Sequence, residues 1–158
     1  MKKIKLTQNK YALVDDNDFE ELNKFKWHAL KDENTFYTGR KIWDKNTKKQ
    51  KMITMHRVIM KTPKGKETDH IDRNALNNQR SNLRIVTHSQ NQMNKGMGKN
   101  NTSGFKGVSW DKNSKKWQAN IKENNKRLYL GLFETKEEAY KAYVEACKKY
   151  HRDFANYS

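Results

Sequence analysis

Two histidines, two aspartates and a scatter of asparagines crowd the middle of the chain, in TDHIDRNALNNQRSNLRIVTHSQNQMN at residues 68–94. Asp69 stands beside His70, and Asn91 follows about twenty positions later. Asp and Asn offer hard oxygen donors of the kind Mg²⁺ takes, an ion that keeps several waters and accepts one or two protein groups beside a phosphate oxygen. A neutral imidazole next to such an ion is suited to activating water near pH 7. Together these are the parts of a metal-assisted phosphodiester hydrolase. The same residue types have a plainer reading, because Asn and Asp also simply build turns.

Bringing these side chains together requires a particular local fold. KETDHI and NLRIVT read as short strands joined by an Asn-rich loop, and SQNQMNK reads as a helix with Ser89 as its cap. In this ββα arrangement the end of the first strand lies beside the start of the helix, so Asp69, His70 and Asn91 can meet. His56, in MHR beside Arg57, reads as a packing neighbour of that site or as a phosphate contact. His88 is offset from Asn91 by three positions and is left out of the ligand set, His28 and His151 read as structural or surface residues, and Asp72 suits either the site or a turn. Arg73, Arg80 and Arg84 surround the same stretch and are expected to contact DNA phosphates.

The 158 residues carry a formal charge of +16, which favours a polyanionic partner, above all nucleic acid. The excess is concentrated in two blocks: residues 40–66 hold ten Lys and Arg against one acid, and residues 95–133 hold nine against two. Both contain aromatic residues, including Trp43, Trp110, Trp117 and Tyr129. Disordered basic tails are poor in such residues, so both blocks read as folded, phosphate-facing surfaces. A single cysteine, Cys147, excludes an internal disulfide and a Cys-based zinc site and reads as a packed thiol. No long apolar run or signal-like start occurs, so a cytoplasmic protein without a membrane partner is expected. Nothing in the sequence calls for an obligatory protein partner.

Before the central stretch, KIKLTQNKYALVDD reads as a short hairpin leading into a helix at about residues 17–25. KWHAL, TFYTG and KMITM then read as short strands, and MHRVIM as a helix stopped by Pro63 and Gly65. NKGMGKNNTSG, residues 94–104, reads as a linker. Beyond it GVSW, KKWQANIK and KRLYLGLF predict three strands, with turns at DKNS and ENN. The closing TKEEAYKAYVEACKKYH predicts a helix with a Thr135–Glu138 capping box and a small-residue stripe at Ala139, Ala142, Tyr143 and Ala146.

Alternation turns Trp117, Ala119, Ile121, Leu128 and Leu130 toward that stripe. It leaves Gln118, Asn120, Lys122, Arg127 and Tyr129 on the outer face, a set able to read base edges and neutralise phosphates. An ordinary solvated sheet face is the plainer alternative.

Two resemblances sharpen these readings. MHRVIM, TDHIDRN and NNQRSNLRIVTHSQN, over about residues 55–94, resemble the HNH motif of phage and group I intron homing endonucleases. That resemblance implies His70 as general base, Asn82 as the residue bracing its loop, and Asp69 with Asn91 as ligands of one divalent ion, Mg²⁺ or Mn²⁺. Many relatives have His at the last position, where this chain has Asn. Residues 103–158, with GV, W-x-A-x-I, LG-F and EEA-x-x-AY in order, resemble an AP2 DNA-binding domain. By position this adds Lys106 to Asn120, Lys122, Arg127 and Tyr129 as expected DNA contacts, whereas Gln118 rests on alternation alone. The first strand departs from the Arg-rich plant pattern, carrying Ser109 and Asp111, so the plant target sequence is not carried over.

The expected fold class is α+β: a ββα-metal nuclease core preceded by short strands and a helix, followed by a three-stranded antiparallel sheet packed on one helix. The expected division is a nuclease part at 1–94, a linker at 95–103 and a DNA-binding domain at 104–158. The expected function is a metal-dependent endonuclease acting on double-stranded DNA, encoded by a phage or mobile element in a bacterial host cell. A non-cleaving AP2-type regulator on an HNH scaffold and an RNA-binding protein are the alternatives.

Overall fold

Alternating apolar residues in KIKL and YALV fold into the opening hairpin of the computed structural model, which describes residues 1–32, 35–98, 100–123 and 126–157. Strands β1 (Lys2–Lys5) and β2 (Tyr11–Val14) pair antiparallel. Gln8 and Asn9, both at positive φ (59° and 53°), form a turn whose twist matches that of the strands. Helix α1 (Asp16–Asn23) follows, beginning and ending slightly earlier than expected. Leu22 faces the core, and the buried Trp27 donates its indole N–H at 2.9 Å to the Leu22 carbonyl, which also accepts from Phe25 N–H at 3.2 Å.

Strands β3 (His28–Asp32), β4 (Thr35–Asp44) and β5 (Lys49–Thr54) form an antiparallel sheet in that order. Gly39 lies where the strands crowd: a Cβ there would lie 2.5 Å from Leu30 Cδ1 and displace the end of that side chain. β4 runs well beyond the expected TFYTG because its far end is closed by side-chain turn chemistry. Asp44 Oδ1 accepts from the backbone N–H groups of Asn46 and Thr47 at 3.0 and 3.2 Å, and Lys48 takes φ 50°.

Helix α2 (Met55–Met60), strand β6 (Glu67–His70), a 3₁₀ turn (Arg80–Asn82) and strand β7 (Leu83–Val86) complete this part. Their Met55, Ile59 and Leu83 join Ile4, Val14, Leu22 and Trp27 in one apolar core. By its contacts the chain divides into two compact units, Met1–Thr87 and His88–Ser158.

The second unit begins with helix α3 (His88–Asn94), so Ser89 lies inside the helix and not at the expected cap. Strands β8 (Val108–Asp111), β9 (Lys116–Glu123) and β10 (Lys126–Phe133) form an antiparallel sheet in the order β8-β9-β10. The expected ENN turn falls mainly on residues 124–125, outside the described residues. Helix α4 (Lys136–Tyr150) has the expected capping box: Thr135 Oγ1 accepts from Glu138 N at 3.2 Å, and Glu138 Oε2 accepts from Thr135 N at 3.1 Å. Its Ala139, Tyr143, Ala146 and Cys147 are buried with Ile121, Val108 and Ala119 of the sheet. Gly107, at φ 76°, lets the chain pass Tyr143, whose ring would lie 2.1 Å from an added Cβ.

The later part of the expected linker is ordered by side-chain bonds. Asn101 Nδ2 donates to the Phe105 carbonyl at 2.7 Å, and the buried Ser103 hydroxyl donates to the Val108 carbonyl at 2.9 Å. The chain is thus mixed α and β, and its second unit includes a three-stranded sheet packed on a helix.

Candidate active site and nucleic-acid interface

Helix α2 is pinned by Met55 and Ile59 and ends on Lys61, a left-handed residue at φ 47° that closes the last turn. The chain returns as β6, paired antiparallel with β7 so that Asp69 faces Arg84 and His70 faces Leu83. Asp69 and His70 are both buried, at 7% and 8% exposure. Arg84 reaches Asp69 Oδ2 through both Nε and Nη2 at 2.8 Å. The His70 ring stands edge-on to the His56 ring at 5.0 Å, and His56 Nε2 lies 3.0 Å from Thr54 Oγ1. His56 is therefore a packing and hydrogen-bonding neighbour of His70.

The loop from Ile71 to Gln79 is organised by Asn82. Its Nδ2 donates to Asp72 Oδ1 and to the Asn77 carbonyl, each at 2.8 Å, while its Oδ1 accepts from Asp72 N–H at 3.0 Å. Asp72 in turn accepts from Asn74 N–H and the Asn77 amide, both at 2.8 Å. Both readings of Asp72 meet here, since it builds the turn that follows His70. Arg73, left-handed at φ 62°, donates its backbone N–H to the His70 carbonyl at 2.9 Å. The loop is tied to the rest of the unit by Arg80, whose guanidinium forks onto both Asp18 oxygens at 2.8 and 2.7 Å.

These surroundings set the state of the imidazoles. Burial pushes His70 below its ordinary value, opposed by a hydrogen bond with Asn78 and by the charges of Asp72 and Asp69. Burial, with the neighbouring His70 and Arg57, pushes His56 down to about 3. These lowered values leave both rings neutral near pH 7.

Asp69, His70 and Asn82 are thus brought together on one hairpin, whereas Asn91 stands on α3 in the second unit. Among the described residues no group of three or more His, Cys, Asp and Glu is placed to hold a metal. Asp69 and Asn91 each carry a hard oxygen of the kind that suits Mg²⁺ better than zinc, and the Asp69 carboxylate is already paired with Arg84.

In the second unit Lys106 is engaged internally: its ammonium donates to the carbonyls of Met93 at 2.9 Å, Asn156 at 3.1 Å and Lys95. It thereby caps the end of α3, which is held also by Asn156 Nδ2 donating to the Asn94 carbonyl at 2.6 Å. The expected outer sheet face is assembled as opposed pairs, Lys122 with Arg127 and Asn120 with Tyr129. A bulge between Tyr129 and Gly131 then reverses the alternation, turning Phe133 inward and aligning the exposed Leu132 with Gln118 and Ser109. Leu132 and Ser109 were missed as members of this face, although a glycine inside a strand run, here Gly131, is a bulge signal. A cleft of about 400 Å³ opens beside the face, lined in part by Asn120, Lys122, Arg127, Ser89 and Gln92.

Residues 55–93 match the family model for HNH endonuclease, and residues 103–152 match the AP2 domain model. An HNH endonuclease segment precedes an AP2 DNA-binding segment in this chain. The HNH segment contains α2, His56, the Asp69–His70 pair, Asn82 and Asn91; the AP2 segment contains β8, β9, β10 and α4. A curated relative, Protein 3.8 of Escherichia phage T7, is 42% identical over 65 residues, which are 41% of this chain and 54% of that protein. The chain thus spans about half the length of this curated relative. No solved structure matches the chain significantly.

Proposed function

We propose that the protein is a metal-dependent DNA endonuclease that hydrolyses phosphodiester bonds of duplex DNA, with an HNH nuclease core of the ββα-metal type and a sequence-reading AP2 sheet. The observation that carries this reading is the buried, neutral His70 beside Asp69, on a hairpin whose loop is closed by Asn82, inside the segment that matches an HNH endonuclease. His70 takes a proton from the attacking water, whose oxygen bonds to phosphorus in line with the departing 3′ oxygen; the P–O3′ bond breaks and the 3′ oxygen takes a proton from solvent, giving a 5′ phosphate and a 3′ hydroxyl. Asn82 holds the loop that fixes the His70 backbone. Asp69 and Asn91 would hold one Mg²⁺ or Mn²⁺, which when bound supplies charge stabilisation to the phosphoryl group.

In functional terms the division is a nuclease part at residues 1–94, a connection at 95–103 and the DNA-binding domain at 104–158. Gln118, Asn120, Lys122, Arg127 and Tyr129 read DNA on the outer sheet face, and Arg73 contacts the backbone near the cut. Arg80 and Arg84, engaged with Asp18 and Asp69, and Lys106, engaged with backbone carbonyls, serve chiefly to hold the fold. The setting is a phage-infected or mobile-element-bearing bacterial cell; no helix among the described residues is long and apolar enough to cross a membrane.

The Asp69–Arg84 pair favours a second reading, a non-cleaving DNA-binding regulator, because a cation already sits on the carboxylate that would serve the metal. Incubating supercoiled plasmid with the protein, with and without Mg²⁺, separates the two. Nicked or linear product that appears with Mg²⁺ and vanishes with chelator supports the endonuclease; binding without product under every divalent ion supports the regulator.

A further inference from the structure

Among the described residues, no apolar core cluster includes the outer half of the β4–β5 hairpin. β3 pairs with β4 only as far as Gly39, so the chain beyond it continues as a two-stranded ribbon from the Arg40–Ile53 pair to the Asp44–Lys49 pair. Residues 40–52 hold six Lys and Arg against Asp44 alone. Trp43 is 62% exposed and Met52 42%, and neither joins an apolar core. The register places Lys41, Trp43, Gln50 and Met52 on one face, since Lys41 opposes Met52 and Trp43 opposes Gln50.

We propose that this ribbon is a second DNA-reading arm, inserted in the major groove of duplex DNA with the Lys41, Trp43, Gln50 and Met52 face toward the bases. The inference rests on the reading of the chain as a binder of duplex DNA. Its partner follows from charge and dimensions. Paired strands lie about 4.8 Å apart, and the major groove, about 12 Å wide, admits a two-stranded ribbon. Five residues at about 3.4 Å each give an arm of about 17 Å, half of one DNA turn.

Gln50 carries the amide that reads adenine, while Trp43 and Met52 offer apolar surface to thymine methyl groups. Lys45 and Lys48, exposed at the tip, reach the flanking phosphates. The arm is also preformed. Its root is fixed by Arg40, stacked 3.7 Å from the centre of the Phe25 ring, and its tip by the Asp44 turn, so little ordering remains to be done on binding.

The test uses the full chain, the variant Trp43→Ala and the double variant Lys45→Gln/Lys48→Gln, each titrated onto the tightest duplex that the wild type selects from a random-sequence library. Guanine N7 methylation reports occupancy of the major groove. The replaced side chains lie outside the core, so both variants should keep the wild-type unfolding midpoint. The double variant should reduce the slope of log affinity against log salt by about 2, at about 0.9 per lost phosphate contact. Trp43→Ala should weaken binding about tenfold and lose N7 protection on one flank of the site. Unchanged slope and protection in both variants overturns the ribbon while leaving the DNA-binding reading standing. Preferential binding of single-stranded RNA through the ribbon also overturns it. A wild type that binds no duplex overturns both.

Discussion

Truncating Asn82 to alanine isolates the bracing of the His70 loop. The side chain makes three hydrogen bonds, donating to Asp72 Oδ1 and the Asn77 carbonyl and accepting from Asp72 N–H. Neutral bonds contribute about 0.5–1.5 kcal/mol each, and one to a carboxylate about 1.5–3 kcal/mol. Asp72 and its turn retain access to water, so part of the loss is recovered by solvation, and the expected cost is about 2–4 kcal/mol. In a unit of this size the unfolding midpoint should fall by about 10–20 °C. Thermal unfolding followed by near-ultraviolet circular dichroism, sensitive to the buried Trp27, measures the shift. Asn82→Asp should be worse than Asn82→Ala, because it places a second carboxylate against Asp72. A midpoint within about 2 °C of wild type for Asn82→Ala would refute the bracing role, since no single bond in the set is expected to be worth so little.

Further outcomes follow from the same geometry. Because burial lowers His70, its base form persists below the ordinary histidine value, so the rising limb of cleavage rate against pH should lie on the acidic side of 6.5; a limb above pH 7 contradicts this. His56 is held near 3 in the fold and titrates normally when unfolded, so the unfolded chain binds the extra proton first. Unfolding free energy should therefore be fully present above pH 6.5 and decline as pH falls toward 3, with a flatter decline in His56→Gln measured by urea titration. Gly107→Ala forces a left-handed alanine into the Tyr143 ring and should destabilise the second unit by about 2–5 kcal/mol, read as loss of binding to duplex DNA at moderate temperature.

What the sequence disclosed was what local patterns encode. The α4 capping box needs only Thr135 and Glu138 three positions apart, and its buried stripe follows from helical spacing. The β6–β7 hairpin that carries Asp69 and His70 was legible because two short strands and a tight loop pair near neighbours, whereas the place of Asn82 in that loop came from the HNH resemblance and not from local pattern. Long-range pairings were not. Arg80 meets an aspartate 62 positions away, and Lys106 reaches Asn156 across 50, so both read as free cations in the sequence while folding gives them partners. The length of the β4–β5 ribbon was hidden by side-chain bonds at its tip, and Leu132 by a bulge that shifts the period of two. Ser89 looked like a cap because it is a good capping residue, yet the helix starts one residue earlier.

The most direct test of the central claim is single-turnover cleavage of a bound duplex by wild type and His70→Ala in the presence of Mg²⁺. The account predicts that the variant binds within about twofold of wild type and cuts about 10²–10⁴ times more slowly, the loss typical of removing a general base. Cleavage by His70→Ala at the wild-type rate would contradict it.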